Sequence, residues 1–403
     1  MRKITLLFAV FLFVNCTKKL DSETYRVVLT VKDNRELPFI MRFLDNDKAE
    51  IYNAEEVVTI DEIEYKNDSV FIKFPVFEGY IAAKITETGF DGQYVIESYD
   101  RFVPVKATKD SIRFKTNNFS TEKLDGIWEV TFSPRGPEPT YKAKGIFTQN
   151  GTKLTGTFRT NTGDYRYLEG VINKSLFKLS TFDGAHAFLF TGTVKDDKLE
   201  GMFYSGKHWK ERFIGIRNPL FKLKKMDSLT FLKEGYDSFD FSFQDEKGKL
   251  VSLSDKEYQD KVTIVQLMGS WCPNCLDESK FLTEFAQKNK DVKILSLAFE
   301  ISKTKELAFQ RINRLRERIG IPYPILLAQY GTDSKLEANK KLPMLNEILG
   351  FPTAIIIDKE GKVRKTYTGF NGPATGQKYI DFKNEFENFI NLLQGNDDHH
   401  HED

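Results

Sequence analysis

The chain has 403 residues, of which 40% are hydrophobic and 29% are charged, and its formal net charge is +1. This length exceeds what one hydrophobic core usually organises, so two or three domains are expected. A net charge this close to zero gives no electrostatic reason for nucleic-acid binding, which argues against that class of partner. Phe occurs 35 times and aromatic residues make up 13% of the chain, which favours extensive β structure.

The first sixteen residues have the features of an export signal. Arg2 and Lys3 form a basic start, an apolar run covers residues 4–14, and Cys16 follows almost at once. The run is too short to span a bilayer as a helix. A Cys after such a run resembles the lipobox of bacterial lipoproteins, which implies a lipid on Cys16, a membrane anchor, and a polar tether over residues 17–24. Ordinary cleavage or an uncleaved anchor are the alternatives, and every case predicts a cell-envelope protein that faces the periplasm.

Three Cys residues in an exported chain of this length do not make a disulfide framework. With Cys16 assigned to the lipid, one pair remains, Cys272 and Cys275, in a C-x-x-C spacing. Such a pair in an oxidising compartment either closes a short structural loop or cycles as a redox couple.

Residues 25–115 are predicted to form a first β-rich domain. Polar turns divide short runs of β-branched and aromatic residues such as 27–31, 57–60 and 70–74. A spacing of apolar, x, Gly, x, aromatic recurs at Gly92, Gly156 and Gly201, and it predicts meandering strands with Gly where strands approach closely. Antiparallel sheets or barrels are the expected architecture, with a boundary near residues 116–123.

Residues 122–218 are predicted to form a second β-rich domain. Asn150-Gly151 is a strong hairpin signal, because both residues tolerate the positive φ of a type I′ turn. Gly126-Ile127-Trp128 resembles the Gly-x-Trp that opens lipocalin-like barrels, and a buried core Trp is the alternative interpretation. A charged connector over residues 219–238 follows.

From residue 239 the pattern changes to strands separated by helices, which continues to residue 395. A nearly continuous apolar run over 262–268 predicts a buried strand, and residues 274–288 have helical spacing. Strands at 292–298, 324–327, 354–358 and 362–367 and helices at 304–319 and 378–393 complete the prediction. Strand-helix-strand units impose parallel neighbours, whereas the final hairpin must be antiparallel, and this is the order of an α/β thioredoxin fold.

Cys272 is predicted to lie where the first buried strand passes into its helix. Free amide groups and the positive end of the helix dipole stabilise a thiolate there, so Cys272 is the expected nucleophile. Pro273 suits the first helical position because its missing N–H would have no partner. Cys275 follows one turn later on the same face, where it can attack a mixed disulfide and release the substrate.

The sequence from Trp271 to Cys275 resembles the membrane-anchored thioredoxin-like proteins of the TlpA and ResA type, and the resemblance covers residues 239–393. A second motif, Gly350-Phe351-Pro352-Thr353, resembles the cis-proline segment of that family. The resemblance implies that Pro352 is a cis-proline and that this segment faces the dithiol and binds the substrate backbone. It also implies reduction of protein disulfides without a bound cofactor, and a membrane thiol-disulfide carrier as the electron donor.

Glu278 stands three residues after the second Cys, where the family often has an acid that tunes thiol protonation. A solvent-facing helix carboxylate is the alternative interpretation. Gln266 occupies the position of a buried Asp in thioredoxins, and Gln cannot take a proton. Glu278 is therefore the better candidate for proton relay.

Three other interpretations of the dithiol are less favoured. Zinc needs four ligands and no His has partner spacing, so no metal site is expected. A purely structural disulfide would restrict the unfolded chain little in so small a loop. A peroxidatic site would want Thr where Gly269 stands. His and acidic residues over 396–403 are interpreted as a disordered polar tail.

The rival functional class is a binding lipoprotein in which the β domains capture a partner and the thioredoxin fold is accessory. About 200 residues of β structure are too many for a spacer, and a role in self-association is a third possibility. Redox direction depends on a potential that the sequence does not report.

Overall fold

The computed structural model describes residues 18–116, 119–134 and 139–395. Within these residues three units follow one another along the chain: a nine-stranded antiparallel sheet, an eight-stranded closed barrel, and a seven-stranded mixed sheet with helices. The predicted succession of antiparallel, barrel-like β structure and then an α/β thioredoxin fold is confirmed. The predicted signal segment with Cys16 and the acidic tail of residues 396–403 lie outside the described residues.

The first unit, named here the N-terminal sheet, buries one face. In its first strand every second side chain is buried, as expected of a strand with one covered face. The buried face carries large aromatic side chains, among them Phe39, Phe74 and Phe90. Its strands, in the spatial order β4-β3-β2-β1-β9-β8-β7-β6-β5, are β1 Thr24–Val31, β2 Arg35–Leu44, β3 Lys48–Asn53, β4 Glu56–Ile60, β5 Glu62–Lys66, β6 Ser69–Lys73, β7 Tyr80–Ile85, β8 Gly89–Ile96 and β9 Arg101–Lys109.

The second unit, named here the barrel, closes because its first and last strands pair. Trp128 lies fully buried at the start of the barrel, and its indole N–H donates to the carbonyl of Leu124 at 2.8 Å. It is therefore a core Trp, and it lies on the first strand of a closed barrel of the kind that Gly-x-Trp predicted. The strands are β10 Gly126–Phe132, β11 Tyr141–Asn150, β12 Lys153–Arg159, β13 Leu168–Asn173, β14 Leu176–Phe182, β15 Ala187–Lys195, β16 Lys198–Ser205 and β17 Trp209–Arg217.

Two details of the β strands test the sequence motifs. A Cβ added at Gly92, Gly156 or Gly201 would collide with a neighbouring strand's carbonyl oxygen, which confirms the prediction of close approach. The predicted hairpin joins β11 to β12, but its turn differs from type I′. Asn150 pairs with Lys153 in the ladder, so the loop is Gly151-Thr152, and of the predicted pair only Gly151 has positive φ.

The barrel packs on the N-terminal sheet through β14. Phe182 enters the core of that sheet, with ring centroids 4.5 Å from Phe39 and 5.2 Å from Phe74. The Asn53 side-chain amide donates to the Phe182 carbonyl at 2.9 Å. Buried Arg113 donates to the carbonyl of Ser180 at 3.2 Å. The two β units therefore share buried apolar and polar contacts.

The third unit, named here the redox domain, has the strand order β19-β18-β22-β21-β20-β23-β24. Parallel pairing joins the three central strands β20, β21 and β22, and the last two strands run antiparallel. A helix of seven residues near position 338 was not predicted. The elements are β18 Ser242–Gln244, β19 Leu250–Ser252, β20 Thr263–Met268, α1 Pro273–Lys288, β21 Lys293–Phe299, α2 Lys305–Ile319, β22 Ile325–Gln329, α3 Lys335–Lys341, β23 Thr353–Ile357, β24 Val363–Thr368 and α4 Gln377–Gln394.

The second half of the predicted connector packs on the redox domain. Thr230 is fully buried, and its hydroxyl accepts a hydrogen bond from Thr368 at 2.8 Å. The backbone N–H of Lys233 donates to the Met344 carbonyl at 2.8 Å. The segment is thus part of the redox domain's structure, which its high charge did not suggest.

The N-terminal sheet also contacts the redox domain, through α2. Arg314 donates to Glu62 at 2.7 Å, and Arg318 donates to Asp61 at 2.8 Å. Phe77, in the loop between β6 and β7, is buried in the core of the redox domain. In the described part of the chain, no helix combines the length and apolar character that a membrane span requires.

Candidate active site

The two Cys residues lie at the junction of β20 and α1. Cys272 is the N-cap of the helix with extended backbone, and Pro273 takes the first helical position, as predicted. The two sulfur atoms form a disulfide with a Cα–Cα distance of 5.2 Å. The backbone N–H of Cys275 donates to the Cys272 sulfur at 3.2 Å, so a free helix N–H points at that sulfur.

The two sulfurs differ in exposure. Cys272 keeps 7% of its surface exposed, whereas Cys275 is fully buried. An external reagent therefore reaches the first Cys before the second.

The predicted cis-proline segment faces the dithiol. The peptide bond between Phe351 and Pro352 is cis, and the Phe351 carbonyl oxygen lies 3.6 Å from the Cys272 sulfur. Thr353 opens β23, and its hydroxyl donates to the Gly350 carbonyl at 2.9 Å. The segment thus places a backbone carbonyl directly beside the first sulfur.

Trp271 connects the dithiol to the same segment from the other side. Its ring meets the Phe351 ring edge to face, with centroids 6.2 Å apart. Its indole N–H donates to the Phe299 carbonyl at 2.9 Å, which holds the ring in place. The structure thereby brings the predicted site residues of the redox domain into one region.

Glu278 is buried behind the dithiol, not exposed on the helix. It is only 1% exposed, and burial raises its pKa to about 8. The Gln266 side-chain N–H₂ donates to one Glu278 oxygen at 2.9 Å and lies 3.5 Å from the Cys275 carbonyl. The other Glu278 oxygen has no hydrogen-bond partner among the described residues. A protonatable carboxyl with one free oxygen therefore lies on the Cys275 side of the site.

A second buried carboxyl, Glu300, was missed in the sequence. It is 1% exposed and accepts hydrogen bonds from the backbone N–H and the hydroxyl of Ser270, both at 2.7 Å. Burial raises its pKa to about 7, against those two hydrogen bonds. Its position directly after the buried strand β21 was a usable signal, because strand ends of parallel sheets converge on functional sites.

An ionic cluster joins all three units next to α1. Arg166 of the barrel is buried and pairs with Asp277 of α1, with Glu56 of the N-terminal sheet at 2.7 Å, and with Asp183 at 3.3 Å. Burial alone would lower the pKa of Arg166, but the surrounding carboxylates, Asp277 first, raise it well above its ordinary value. For the Glu56 carboxyl the effect of burial is the opposite: it raises the pKa, although the positive charge of Arg166 lowers it in part. The cation stays charged and holds the three units together.

A barrel loop, residues 160–164 between β12 and β13, lies on the active-site face. The Asn274 side chain, between the two Cys residues, donates to the Asp164 carbonyl at 3.3 Å. The Asp164 carboxylate accepts from the backbone N–H of Gly372 at 2.7 Å. A methyl group added at Gly350 would lie 3.0 Å from Thr162. The barrel loop therefore contacts both the dithiol motif and the residue two before Pro352.

No group of three or more His, Cys, Asp or Glu within residues 18–116, 119–134 and 139–395 is placed to hold a metal ion.

The fold and the dithiol define a domain of the thioredoxin superfamily, and a family comparison agrees. The model of the Redoxin family matches residues 233–379. This match supports the predicted resemblance to thioredoxin-like proteins of the TlpA and ResA type.

Several curated proteins are similar to this part of the chain. The thiol-disulfide oxidoreductase ResA of Geobacillus thermodenitrificans is 28% identical over 130 residues, which are 32% of this chain and 66% of that protein. ResA of Bacillus subtilis is 23% identical over 138 residues, 34% of this chain and 69% of that protein. The thiol:disulfide interchange protein DsbE of Vibrio cholerae is 29% identical over 124 residues, 31% of this chain and 58% of that protein.

These matches are partial on both sides. The chain spans 66% of the length of the Geobacillus protein. Among solved structures, a thiol-disulfide oxidoreductase from Bacteroides fragilis is 23% identical, and the match covers 36% of this chain and 99% of that one with a TM-score of 0.28.

Proposed function

We propose that the protein is a thiol-disulfide oxidoreductase that reduces protein disulfides through Cys272 and Cys275. The observation that carries the proposal is the pair of sulfurs at the start of α1, with a helix N–H directed at Cys272 and the Phe351 carbonyl beside it. The relatives of the redox domain bear the names of thiol-disulfide oxidoreductases, which supports the same chemistry.

The reaction takes place in two exchanges. In the reduced protein the Cys272 thiolate attacks one sulfur of a substrate disulfide, forms a mixed disulfide and releases the first substrate thiolate. The Cys275 thiolate then attacks the Cys272 sulfur, which closes the Cys272–Cys275 disulfide and releases the second substrate thiolate. Two electrons pass to the substrate, and an external dithiol restores the reduced protein.

The buried carboxyl Glu278 is assigned the proton transfer of the second exchange. Cys275 is fully buried, so its proton needs an acceptor inside the protein. Glu278 offers an oxygen with no hydrogen-bond partner among the described residues and a pKa raised by burial to about 8. Its ionised form, which becomes populated as pH rises through about 8, can accept this proton.

The substrate chain is proposed to lie along the segment of Phe351, Pro352 and Thr353, with Trp271 and Pro273 at its side. The carbonyl of Phe351 at 3.6 Å from the attacking sulfur supports this position. A backbone carbonyl there can accept a hydrogen bond from an extended substrate chain.

The location of the protein remains part of the proposal. We assign Cys16 to a lipid anchor, the chain to the periplasmic side of a membrane, and a membrane thiol-disulfide carrier to the role of electron donor. The basic start and apolar run before Cys16 support the export assignment. We also propose domains over residues 25–115, 122–218 and 239–395, with the second half of the 219–238 connector packed on the last of these.

A second candidate function gives the β units the main role, as a partner-binding region. The observation that favours it is the barrel loop, which contacts Asn274 inside the dithiol motif. The two candidates differ in whether the thiols are required.

Dithiothreitol-dependent reduction of insulin by the full chain tests the proposal. Cys272→Ser is expected to abolish the acceleration, and Cys275→Ser is expected to accumulate the mixed disulfide. Cys16→Ser, which replaces the third Cys of the chain, serves as the control and should keep the wild-type rate. Insulin reduction that survives Cys272→Ser unchanged would defeat the enzyme proposal and favour the binding role.

A further inference from the structure

A cavity of about 270 Å³ lies where the three units meet, next to the residue that precedes Cys272. The redox domain contributes Trp271 and Ile301. The N-terminal sheet contributes Phe77, Tyr99 and Arg101, and the barrel contributes His186, Phe188 and His208. No single unit forms this cavity, so it exists only when the β units and the redox domain are docked.

The size and lining of the cavity suit an apolar group. A cavity of about 150 Å³ between apolar side chains holds a benzene molecule. The larger volume here can take an aromatic side chain, and the aromatic residues Phe77, Phe188 and Trp271 line it.

The charges around the cavity favour an anion. The guanidinium of Arg101 stacks on the Tyr99 ring at 4.1 Å and has no ion pair among the described residues. Glu78, which also lines the cavity, is paired with Arg311 at 3.0 Å. Burial lowers the pKa of His208 to about 4, so this histidine is neutral at neutral pH. Arg101 therefore has no carboxylate within ion-pair distance among the described residues, and Asp333 acts on its charge only from farther away.

The cavity lies beside Trp271, and none of the residues 160–164 of the barrel loop lines it. On one side, the barrel loop contacts Asn274 and approaches Gly350. On the other side, Trp271 extends from the dithiol motif to the cavity wall. A substrate bound along Phe351 and Pro352 would thus find its neighbouring side chains directed to the Trp271 side.

We propose that this cavity is a specificity pocket for the substrate, which takes an apolar side chain close to the substrate cysteine with a carboxylate next to it. This inference rests on the proposed reductase function and adds the class of substrate sequence. The apolar side chain packs on Trp271 and Phe188, and the carboxylate pairs with Arg101. The N-terminal β units thereby become the part of the protein that selects the substrate.

Rates of reaction of the reduced full chain with peptide disulfides test the proposal. Three peptides differ only in the two residues beside the cysteine: Phe-Glu, Phe-Lys and Ala-Glu. The neutral small molecule 2-hydroxyethyl disulfide measures exchange that does not use the pocket. Wild-type protein is expected to react about tenfold faster with the Phe-Glu peptide than with the Phe-Lys peptide, since a charged hydrogen bond is lost. A loss of similar size, about tenfold, is expected for Ala-Glu from the missing ring.

Arg101→Glu should invert the preference between Phe-Glu and Phe-Lys, and Arg101→Gln should remove it. The readout is the ratio of the two rates in each variant, which a general loss of folded protein does not change. Arg35→Glu, an exposed charge reversal on the same sheet, is the control and should keep the wild-type ratio. Equal rates for the three peptides in wild type, or a preference that Arg101→Glu leaves unchanged, would overturn the pocket. Absence of reaction with 2-hydroxyethyl disulfide would instead overturn the reductase function, and the pocket as a substrate site with it.

Discussion

Arg166 of the barrel forms a buried ion pair with Asp277 of α1, which lies two residues after Cys275 in the chain. The same guanidinium pairs with Glu56 of the N-terminal sheet at 2.7 Å. A single side chain therefore connects the helix that carries the dithiol to both β units. Together with the contacts of Asp164 to Asn274 and Gly372, it joins the barrel to the redox domain beside the active site.

Replacing Arg166 by Leu is expected to lower the free energy of unfolding by about 3–5 kcal/mol, because it leaves buried carboxylates without their cation. Urea unfolding followed by fluorescence measures the change. Arg212→Leu removes an exposed barrel ion pair, with both partners more than half exposed, and is expected to cost about 1 kcal/mol or less. Equal effects of the two substitutions would show that the Arg166 cluster is not a structural centre.

Displacing the barrel loop should expose Cys272. Gly163 has a φ of +146°, and a methyl group there would collide with the Asn274 side chain, so Gly163→Ala is expected to move the loop off the dithiol motif. The alkylation rate of Cys272 by iodoacetamide in the reduced protein should rise several-fold. Gly151→Ala also places a side chain at positive φ, but in open space far along the barrel hairpin, and it should leave the rate unchanged. A rate that is the same in both variants would contradict a covering role for the loop.

Glu278→Gln should slow the second exchange and spare the first. Without a proton acceptor near Cys275, closure of the Cys272–Cys275 disulfide is expected to fall by about 100-fold. Rapid acid quenching and mass spectrometry measure how fast the mixed disulfide decays. In the wild type this decay should accelerate as pH rises through about 8, where Glu278 loses its proton, and the variant should lack that component.

Glu284→Gln is the matched control for that experiment, because Glu284 lies exposed on the same helix. It should behave as wild type. Unchanged decay of the mixed disulfide in Glu278→Gln would show that water, not Glu278, takes the proton.

The stability of the oxidised protein should fall as pH rises. Burial raises the pKa values of Glu278 and Glu300 to about 8 and about 7, from an ordinary value of 4.5. Between the unfolded and folded values the folded state binds more protons, so each carboxyl contributes stability below pH 4.5 that is lost as pH rises through its folded pKa. The loss amounts to at most about 1.4 kcal/mol per pH unit for each group.

Urea unfolding between pH 4 and pH 9 measures this slope. Glu278→Gln and Glu300→Gln keep a neutral side chain at all pH values, so each should flatten the curve of unfolding free energy against pH. The effect of Glu300→Gln should end near pH 7 and that of Glu278→Gln near pH 8. If the free energy of unfolding of the wild type rose over this range, the raised pKa values of the two buried carboxyls would be contradicted.

The elements of the redox domain could be predicted because their signals are local. The apolar run before Cys272 and the helical spacing after Cys275 each need only a short window of sequence, and the observed β20 and α1 agree with it within a residue or two. The short helix α3 has a single buried side chain, Ala338, so it gives almost no periodic signal. The turn after Asn150 depends on strand register, which a dipeptide does not determine.

The dithiol and Pro352 could be found from motifs, but their surroundings could not. Arg166 and Asp277 are 111 positions apart, and nothing near either residue indicates the other. The burial of Glu278 depends on Gln266 and on the sheet below the helix. The sequence alone therefore could not decide between a buried and a solvent-facing position for Glu278. Pairing between distant charges is a property of the assembled units.

The N-terminal sheet is open and ends at β4 and β5. Unprotected edges of this kind can recruit a strand from another molecule and start aggregation. Glu56 on β4 is paired with Arg166, and Glu62 on β5 is paired with Arg314. Both margins therefore carry acidic groups whose counter-charges come from the other two units. Expressed without them, the sheet would keep its acidic margins but lose their neutralising cations, and the repulsion between like margins would oppose growth into fibrils.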